Sequence, residues 1–581
     1  MNPTRPNLNS WEYQRQAIDA QIKSLEDEDS IRALRLQRNA LAPISSLPPE
    51  IFATIFSFLP HMLSSIKPRK MLDPVAWLRY SHVCHQWREI ALNQPLLWCR
   101  VNFTNISLVG AAQILARAKM APLHLEARGL GDHWDDTQFC AFQDELQFRV
   151  SRIRHFLILA NPQRLRKALE GLVSPALTLE SLSLSSEGKR PRTVVPETLF
   201  GGTTPRLSRL ELSNCNISWE SSLLKGLRCL EIRSPAANTR PSLPVWLGAL
   251  NEMQQLKRLT LYSASPIAPP IPVEVERTVT LPFFTHLDIS SSAKNCALVL
   301  AHLDLPALTW LCVGAIVHLP DLNDIRRLVS YVARHAHGPQ DTQPLQSALV
   351  LAKGKYIDIL AWTTPDIDDD THDTLTLLPT TLPTRVALSL TSKGGDWNYR
   401  SGIGTACMVI AALPLDNLVT FVVKDAPYGG VFLPKSQRWA LLRRVRLNHD
   451  ACEFLDWLED DEGGCENPLL PSLKELVLVD NILSKYMLSQ LHGVQLQRVE
   501  QGVPLEMLDL STCRLDPDYY ADSALSRLDA LNHQVNDVLY PEETVDARAQ
   551  IVSTWDGLTS GPFVGHEDDN SDTSSDEDDE E

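Results

Sequence analysis

The sequence predicts a mixed α/β chain: an N-terminal helix, a small α-helical domain, a long irregular solenoid of short strands, and a disordered acidic tail. Three observations predict it. Between Ile44 and Trp98, two short segments carry large apolar residues at helical spacing. From Leu179 onward the unit L-x-x-L-x-L recurs in order along the chain. Residues 567–581 hold ten carboxylates and no base. The boundaries fall at 1–42 for the helix, 43–103 for the helical domain, 104–540 for the solenoid and 541–581 for the tail, which is acidic from 566.

From Trp11 to Leu41 the spacing predicts one amphipathic, coiled-coil-like helix. Ile18, Ile22 and Leu25 recur at three- and four-residue steps, Leu34 and Leu41 are seven apart, and no Pro or Gly intervenes before Pro43. The register breaks at Glu26-Asp27-Glu28-Asp29-Ser30. Self-association through this stripe and a helix folded back beside the next domain both remain open.

The helical domain opens with Ile44-Ser45-Ser46-Leu47-Pro48-Pro49-Glu50, a helix start in which Pro is tolerated because the first N–H groups have no helical partner. Ile51, Ile55, Phe56, Phe58 and Leu59 give an apolar face too wide for a lone surface helix, and Pro60 is expected to stop it. A second helix is expected to carry Trp77, Val83, Cys84, Trp87, Ile90 and Ala91, leaving Arg79, Arg88 and Glu89 to solvent. Two such helices must bury their faces against each other and against something else.

This pattern resembles the F-box, in the F-box-like version common in large fungal families. Leu47, Pro48, Glu50, Ile51, Ile55 and Phe56 carry the resemblance in the first half, and Trp77, Val83, Cys84, Trp87, Arg88 and Trp98 in the second. It covers about a tenth of the chain and departs from the family at His61–Pro74, which lengthens the connection between the helices. The resemblance implies binding to a Skp-type adaptor and, through it, to a cullin ubiquitin ligase. The implied adaptor-binding residues are Leu47, Pro48, Glu50, Ile51, Ile55, Phe56, Val83, Cys84, Trp87 and Arg88.

In the body, three repeats are complete or nearly so. They are Leu207-Leu210-Leu212-Cys215-Ile217, Leu473-Leu476-Leu478-Asn481-Leu483 and Leu505-Leu508-Leu510-Cys513-Leu515. Partial copies begin at Leu179, Leu227, Leu256, Phe284, Leu308, Leu418 and Leu442, with weaker candidates at Leu349-Leu351 and Leu388-Leu390. Each L-x-L is read as a short strand with its leucines inward, and the following Asn or Cys as a buried group meeting orphan backbone in the turn. Each unit exposes a hydrophobic edge until a neighbour stacks on it. Successive units are 20 to 39 residues apart, and such irregular units resemble the leucine-rich-repeat region of F-box proteins. Between Leu319 and Arg400 the pattern weakens to a helix at Leu322–His335 and an acidic loop at 366–373, which lacks the Gly and Glu of an EF-hand.

Composition excludes several classes. A formal net charge of −17 argues against a nucleic-acid or anionic-membrane partner. Eleven cysteines with no C-x-x-C pair read as reduced thiols, and no leader or membrane span is expected, so a cytoplasmic or nuclear location follows and the sequons at Asn102, Asn105 and Asn216 are idle. His82, Cys84 and His85 read as one buried thiol and two surface imidazoles, not metal ligands. No catalytic or phosphate-binding motif is present, and Cys465 lies among carboxylates that disfavour a nucleophile. No catalytic residue, cofactor or metal is therefore expected.

Without the residues 567–581 the net charge falls from −17 to −7, and that run self-repels. Thr573, Ser574 and Ser575 each have an acidic residue three positions on, as acidophilic kinases prefer. The expected function is that of a substrate receptor of a Skp–cullin–F-box ligase with an unknown protein target on the repeats. A non-ligase scaffold, or an enzyme with a divergent site in 319–470, stands as the alternative.

Overall fold

The computed structural model describes residues 8–66, 76–104, 106–130, 134–188, 191–267, 277–318, 322–339, 343–365, 384–393, 395–397, 399–424, 439–448, 451–459, 469–516, 526–528, 530–531 and 534–540. The acidic loop at 366–373, the loop around Cys465 and the tail at 541–581 lie outside them. The chain forms two compact units: Met1–Thr342 with Pro383–Gly395, and Gln343–Leu382 with Asp396–Glu581.

The N-terminal segment is a helical hairpin, not the single helix its spacing predicts. Leu8–Lys23 and Glu28–Ala40 pack on each other, and Arg38 Nε lies 2.7 Å from Asp19 Oδ1. The acidic run makes the break. The Asp27 side chain accepts from the Ser30 amide at 2.8 Å and caps the second helix, while Ser24 bonds back to the Gln21 carbonyl. A start signal in mid-pattern outweighs the continuity of the apolar stripe.

In the first unit, ten of the described strands pair in parallel. In pairing order they are Arg100–Asn102, Leu123–Leu130, Ile153–Ala160, Ser181–Ser186, Arg209–Ser213, Cys229–Arg233, Arg258–Tyr262, His286–Ser292, Trp310–His318 and Thr384–Lys393. The register aligns one buried apolar side chain per strand: Val101, Leu125, Phe156, Leu182, Leu210, Leu230, Leu259, Leu287, Leu311 and Val386. A second buried row runs two residues on, from Ala127 and Ile158 through Leu184, Leu212, Ile232, Leu261, Ile289 and Val313 to Leu388. The strands at Val101, Leu125 and Phe156 were not foreseen, because their inward positions are filled by Val, Ala and Phe rather than paired leucines.

Three of these strands leave their row through a tight turn. Asn214, Ser234 and Ser263 follow the strand ends with φ of 55°, 50° and 55°, a left-handed step that redirects the chain. Cys215 then turns inward, its thiol near the Ser213 carbonyl at 3.3 Å. The next residue, Asn216, is also buried. Its Oδ1 accepts from the Ala236 amide at 2.8 Å and the Thr239 hydroxyl at 3.1 Å. Cys215–Asn216 pairs with Thr193–Val194, and Val279–Thr280 with Leu303–Asp304, as short parallel ladders beyond the main one.

In the second unit, Ser347–Lys353, Thr420–Lys424, Arg444–Asn448, Glu475–Val479, Met507–Asp509 and Asp537–Leu539 pair in parallel in that order, and Tyr356–Trp362 runs antiparallel to the first. The buried rows are Val350, Val423, Leu447 and Leu478, and Ala348, Phe421, Val445, Leu476, Leu508 and Val538. The candidate pair Leu349-Leu351 is therefore one residue out of register. Ala348 and Val350 align with Phe421 and Val423, whereas Leu349 turns to the other face against Trp362 and Val422. A one-residue slip reverses every side chain of a strand, and a strand buried on both faces hides which set is inward.

Asn481 in the second unit is buried and bonded to backbone groups, as its position after Leu476 and Leu478 predicts. It is 1 % exposed; its Oδ1 accepts from the Ala451 amide at 2.9 Å, and its Nδ2 donates to the carbonyls of Val479 at 3.0 Å and Leu447 at 3.3 Å. The thiol of Cys513 reaches the Leu478 carbonyl at 3.2 Å. Asn323–Ala336 in the first unit and Lys485–Glu500 in the second are amongst the helices joining strands, the former covering the predicted 322–335 helix.

Candidate functional site

The site is built at residues 43–104, where the helical pattern and the apolar excess coincide. A short 3-10 turn, Pro43–Ser46, is tied to the preceding helix by Ser45 Oγ, which donates to the Asn39 carbonyl at 2.7 Å. The helix Pro49–Ile66 then begins at a Pro-Pro step. The Pro48 carbonyl accepts from the amides of Ile51 at 3.0 Å and Phe52 at 3.3 Å, and Pro49 occupies a first-turn position that needs no donor. Contrary to expectation, Pro60 does not stop the helix, which continues to Ile66. Proline removes one i→i−4 bond and crowds the preceding turn, a cost of about 3 kcal/mol that a packed helix can carry.

The second segment is not one helix. Ala76–His82 is a 3-10 turn, and the α-helix spans His85–Asn93 with Cys84 as its extended N-cap, φ −156° and ψ 171°. Cys84 is thus half-buried at a helix start instead of sitting on a helix face, and His82 and His85 are exposed. The 3-10 turn Pro95–Trp98 closes the segment: Trp98 Nε1 donates to the Ala91 carbonyl at 2.7 Å, and the Arg117 guanidinium lies 4.7 Å from the centre of the Trp98 ring.

Phe52, Phe56 and Trp87 form an aromatic triad, with ring centres 6.0 Å apart for Phe52–Phe56, 5.5 Å for Phe52–Trp87 and 5.4 Å for Phe56–Trp87. Both Trp87 contacts are edge-on, a geometry worth about 0.5–1.5 kcal/mol per pair beyond area burial. Phe52, Phe56, Leu97 and Trp98 are each no more than 2 % exposed. The domain therefore closes its own core.

A second apolar stripe remains outside that core. On the first helix Ile51, Ile55 and Phe58 stand at i, i+4 and i+7 with 47 %, 43 % and 58 % of their surface open. Ile44, Val83, Leu92 and Leu96 are also exposed apolar residues of this segment. The stripe of Phe52 and Phe56 lies one residue, or about 100°, further round the same helix. Two adjacent stripes explain why the apolar face is too wide for a lone helix: one faces in and one faces out.

The predicted site residues divide along that line. Pro48, Glu50, Ile51, Ile55, Val83 and Arg88 are exposed; Leu47, Cys84 and Trp87 are half-buried; Phe56 is buried and belongs to the triad. As it stands, Phe56 offers no surface to a partner. Phe52 was missed as an anchor, although the four-residue step to Phe56 was there to be read, and Phe58, named on the apolar face, was not counted among the site residues. The side chain of Trp77 lies outside the described residues.

Among the described residues, no three His, Cys, Asp or Glu side chains gather as metal ligands do, and no helix is long and apolar enough to cross a membrane. Residues 44–104 match the F-box-like family model. No curated protein matches the chain. F-box-like domains generally bind Skp-type adaptors of SCF-type ubiquitin ligases and are typically non-catalytic, so the helical segment of this chain is an F-box-like domain and suggests a role in an adaptor interaction of that type.

Proposed function

We propose that this chain is a substrate-receptor subunit of a Skp–cullin–F-box ubiquitin ligase, with the F-box-like domain holding the adaptor and a leucine-rich-repeat solenoid holding a target protein. One observation carries the adaptor half: an apolar stripe of Ile51, Ile55 and Phe58 stays open on a domain whose own core is already closed by Phe52, Phe56, Trp87 and Trp98. An exposed stripe of that kind marks an interaction surface. The solenoid half is supported by the chain-ordered parallel pairing of leucine-bearing strands and by the side-chain bonds of Asn216 and Asn481 to backbone groups.

In this reading the protein positions and makes no bond itself. Holding the target near the ubiquitin-loaded enzyme raises the effective concentration of its lysines and turns an encounter into an intramolecular step. Reduced cysteines, several of them buried, suit a cytoplasmic or nuclear setting.

The test is affinity purification of the tagged full-length chain beside its Ile51→Ala/Ile55→Ala form, with mass spectrometry of the retained proteins. Adaptor and cullin are expected with the unmutated chain alone. Adaptor without cullin would replace the ligase reading by a non-ligase scaffold, and absence of both from the unmutated chain would remove the adaptor role.

A further inference from the structure

The outer layer of the first unit steps at one place. The repeat carrying Leu210 and Leu212 returns to the sheet through a 3-10 turn of three residues, Ser222–Leu224, whereas the next returns through the nine-residue helix Leu243–Asn251. Neighbouring repeats of unequal thickness do not close flush, and a groove follows their seam. Two adjoining hollows of about 350 and 220 Å³ make up this groove and share Trp219, Glu220 and Val245. Ile217 and Trp219 are its buried apolar floor, and Val194 and Val245 stand exposed along it. The helix and its C-cap line it with Val245, Gly248, Ala249 and Glu252, at i, i+3, i+4 and i+7. Gly248 widens the gap, since a Cβ built there would meet nothing within 4 Å.

Polar groups mark the two ends of the groove. At one end Asn216, 8 % exposed, spends its Oδ1 on the Ala236 amide and the Thr239 hydroxyl, while its Nδ2 donates to no group among the described residues. An amide nitrogen seated that deeply wants an acceptor, and Asn216 meets the surface where it lines the groove. Toward the other end Glu220 and Glu252 are exposed and form no ion pair among the described residues. Lys225 is the one cation lining that part, so its charge is net negative.

We infer that this groove holds an extended segment of the target protein, which lays aliphatic side chains on Ile217, Trp219 and Val245 and brings a lysine or arginine to Glu252. The inference rests on the reading that the repeat body receives a target, and it names the place and the chemistry of that target. The length fits: from Val245 to Glu252 the helical path is about 10 Å, the reach of about three residues of extended chain. The conformation follows from Asn216. A helix uses its carbonyls internally except in the last turn, whereas an extended chain leaves them open to a side-chain amide. The carboxylates of Glu220 and Glu252 favour a basic segment and repel an acidic one, which disfavours this chain's own residues 567–581 as the occupant.

The experiment is panning of phage-displayed random 12-mers on the purified full-length chain, followed by fluorescence anisotropy of the enriched peptides with the wild type, Gly248→Leu and Glu252→Lys. Leucine at 248 enters open space and forms helix better than glycine, so this variant should melt no lower than the wild type while filling the groove. Glu252→Lys changes an exposed side chain and keeps the test decisive should Gly248→Leu fold poorly. Enriched peptides are expected to share an aliphatic pair and a basic residue. They should bind Gly248→Leu about tenfold more weakly and Glu252→Lys about threefold more weakly. A diazirine beside the aliphatic pair should crosslink within residues 216–252. No enrichment, peptides that bind either folded variant as tightly as the wild type, or crosslinks that map elsewhere would overturn the inference. So would a wild-type chain that elutes as a dimer beside a monomeric Gly248→Leu, which would give the groove to a second copy. Retention of a Skp-type adaptor is scored separately on the same preparations, so a failed receptor reading shows there while the peptide data judge the groove.

Discussion

Replacing Ile51 and Ile55 together by alanine should release the adaptor and leave the domain folded, whereas Phe56→Ala should unfold the domain. The difference follows from where the two stripes of one helix point. Ile51 and Ile55 are 47 % and 43 % exposed in the free chain, and Phe56 is 2 % exposed against Phe52 and Trp87. Full burial of an isoleucine side chain is worth about 1.5–3 kcal/mol, so covering the open part of each contributes about 1 kcal/mol. The pair then carries about 2 kcal/mol of binding, or roughly a 30-fold loss of affinity on truncation. Alanine is the better helix former, so the free domain loses little. Phe56→Ala instead empties a ring-sized space in a closed core, at about 3–5 kcal/mol. Isothermal titration of the full-length variants with a purified Skp-type adaptor gives the first quantity. Near-ultraviolet circular dichroism, in which Trp87 and Trp98 report the packing, gives the second. A folded Ile51→Ala/Ile55→Ala chain that binds the adaptor within about threefold of the wild type would refute the two-stripe reasoning, as would a Phe56→Ala chain with an unchanged aromatic spectrum.

Further outcomes follow from the two units. Asn481→Ala removes three side-chain bonds to buried backbone and should destabilise its repeat by about 3 kcal/mol, read as faster hydrogen exchange at the amide of Ala451. Arg498, whose guanidinium burial pulls down to about 10, is still charged at neutral pH and donates to the carbonyls of Leu469, Leu470 and Leu473 at 3.0, 3.1 and 2.9 Å. Arg498→Met should therefore take a donor from all three carbonyls, of which Leu470 keeps the Leu473 amide at 3.0 Å, and lower the midpoint of thermal unfolding of the second unit, while an unchanged midpoint would mean that the others find new donors. Burial holds His335, His155 and His286 below the ordinary value of 6.5, so the folded first unit binds fewer protons than its unfolded chain. Their stabilising contribution is complete above pH 6.5 and is lost as pH falls below it. Thermal melts should show a lower midpoint at pH 5.5 than at pH 7.5, with a shallower dependence in His335→Gln.

Much of this was legible in the sequence because it depends on spacing. The leucine positions of Leu182-Leu184, Leu210-Leu212, Leu230-Ile232, Leu259-Leu261 and Leu476-Leu478 lie in strands with those residues buried, since a polar outer face leaves only one way to point an alternating strand. The F-box-like segment was legible for a similar reason: its Pro-Pro-Glu start and its apolar excess are local signals. Spacing misled where both faces are buried, as at Leu349 and Leu351, and where a local start signal lay inside a longer pattern, as at Asp27.

What the sequence determined by itself is therefore the inward positions of the leucine-bearing strands and the surplus of apolar side chains near the N-terminus. Only the tertiary structure decided which half of that surplus is core and which is surface, because residues 51 and 52 differ by a turn of about 100° that matters only once Trp87 arrives from another helix. It also decided that Ala348 and Val350, not Leu349 and Leu351, lie in the buried rows of the second unit, because parallel pairing with Phe421 and Val423 sets the register. The physical reason is the same in both cases: a side chain's environment is set by neighbours that the chain brings together from far apart.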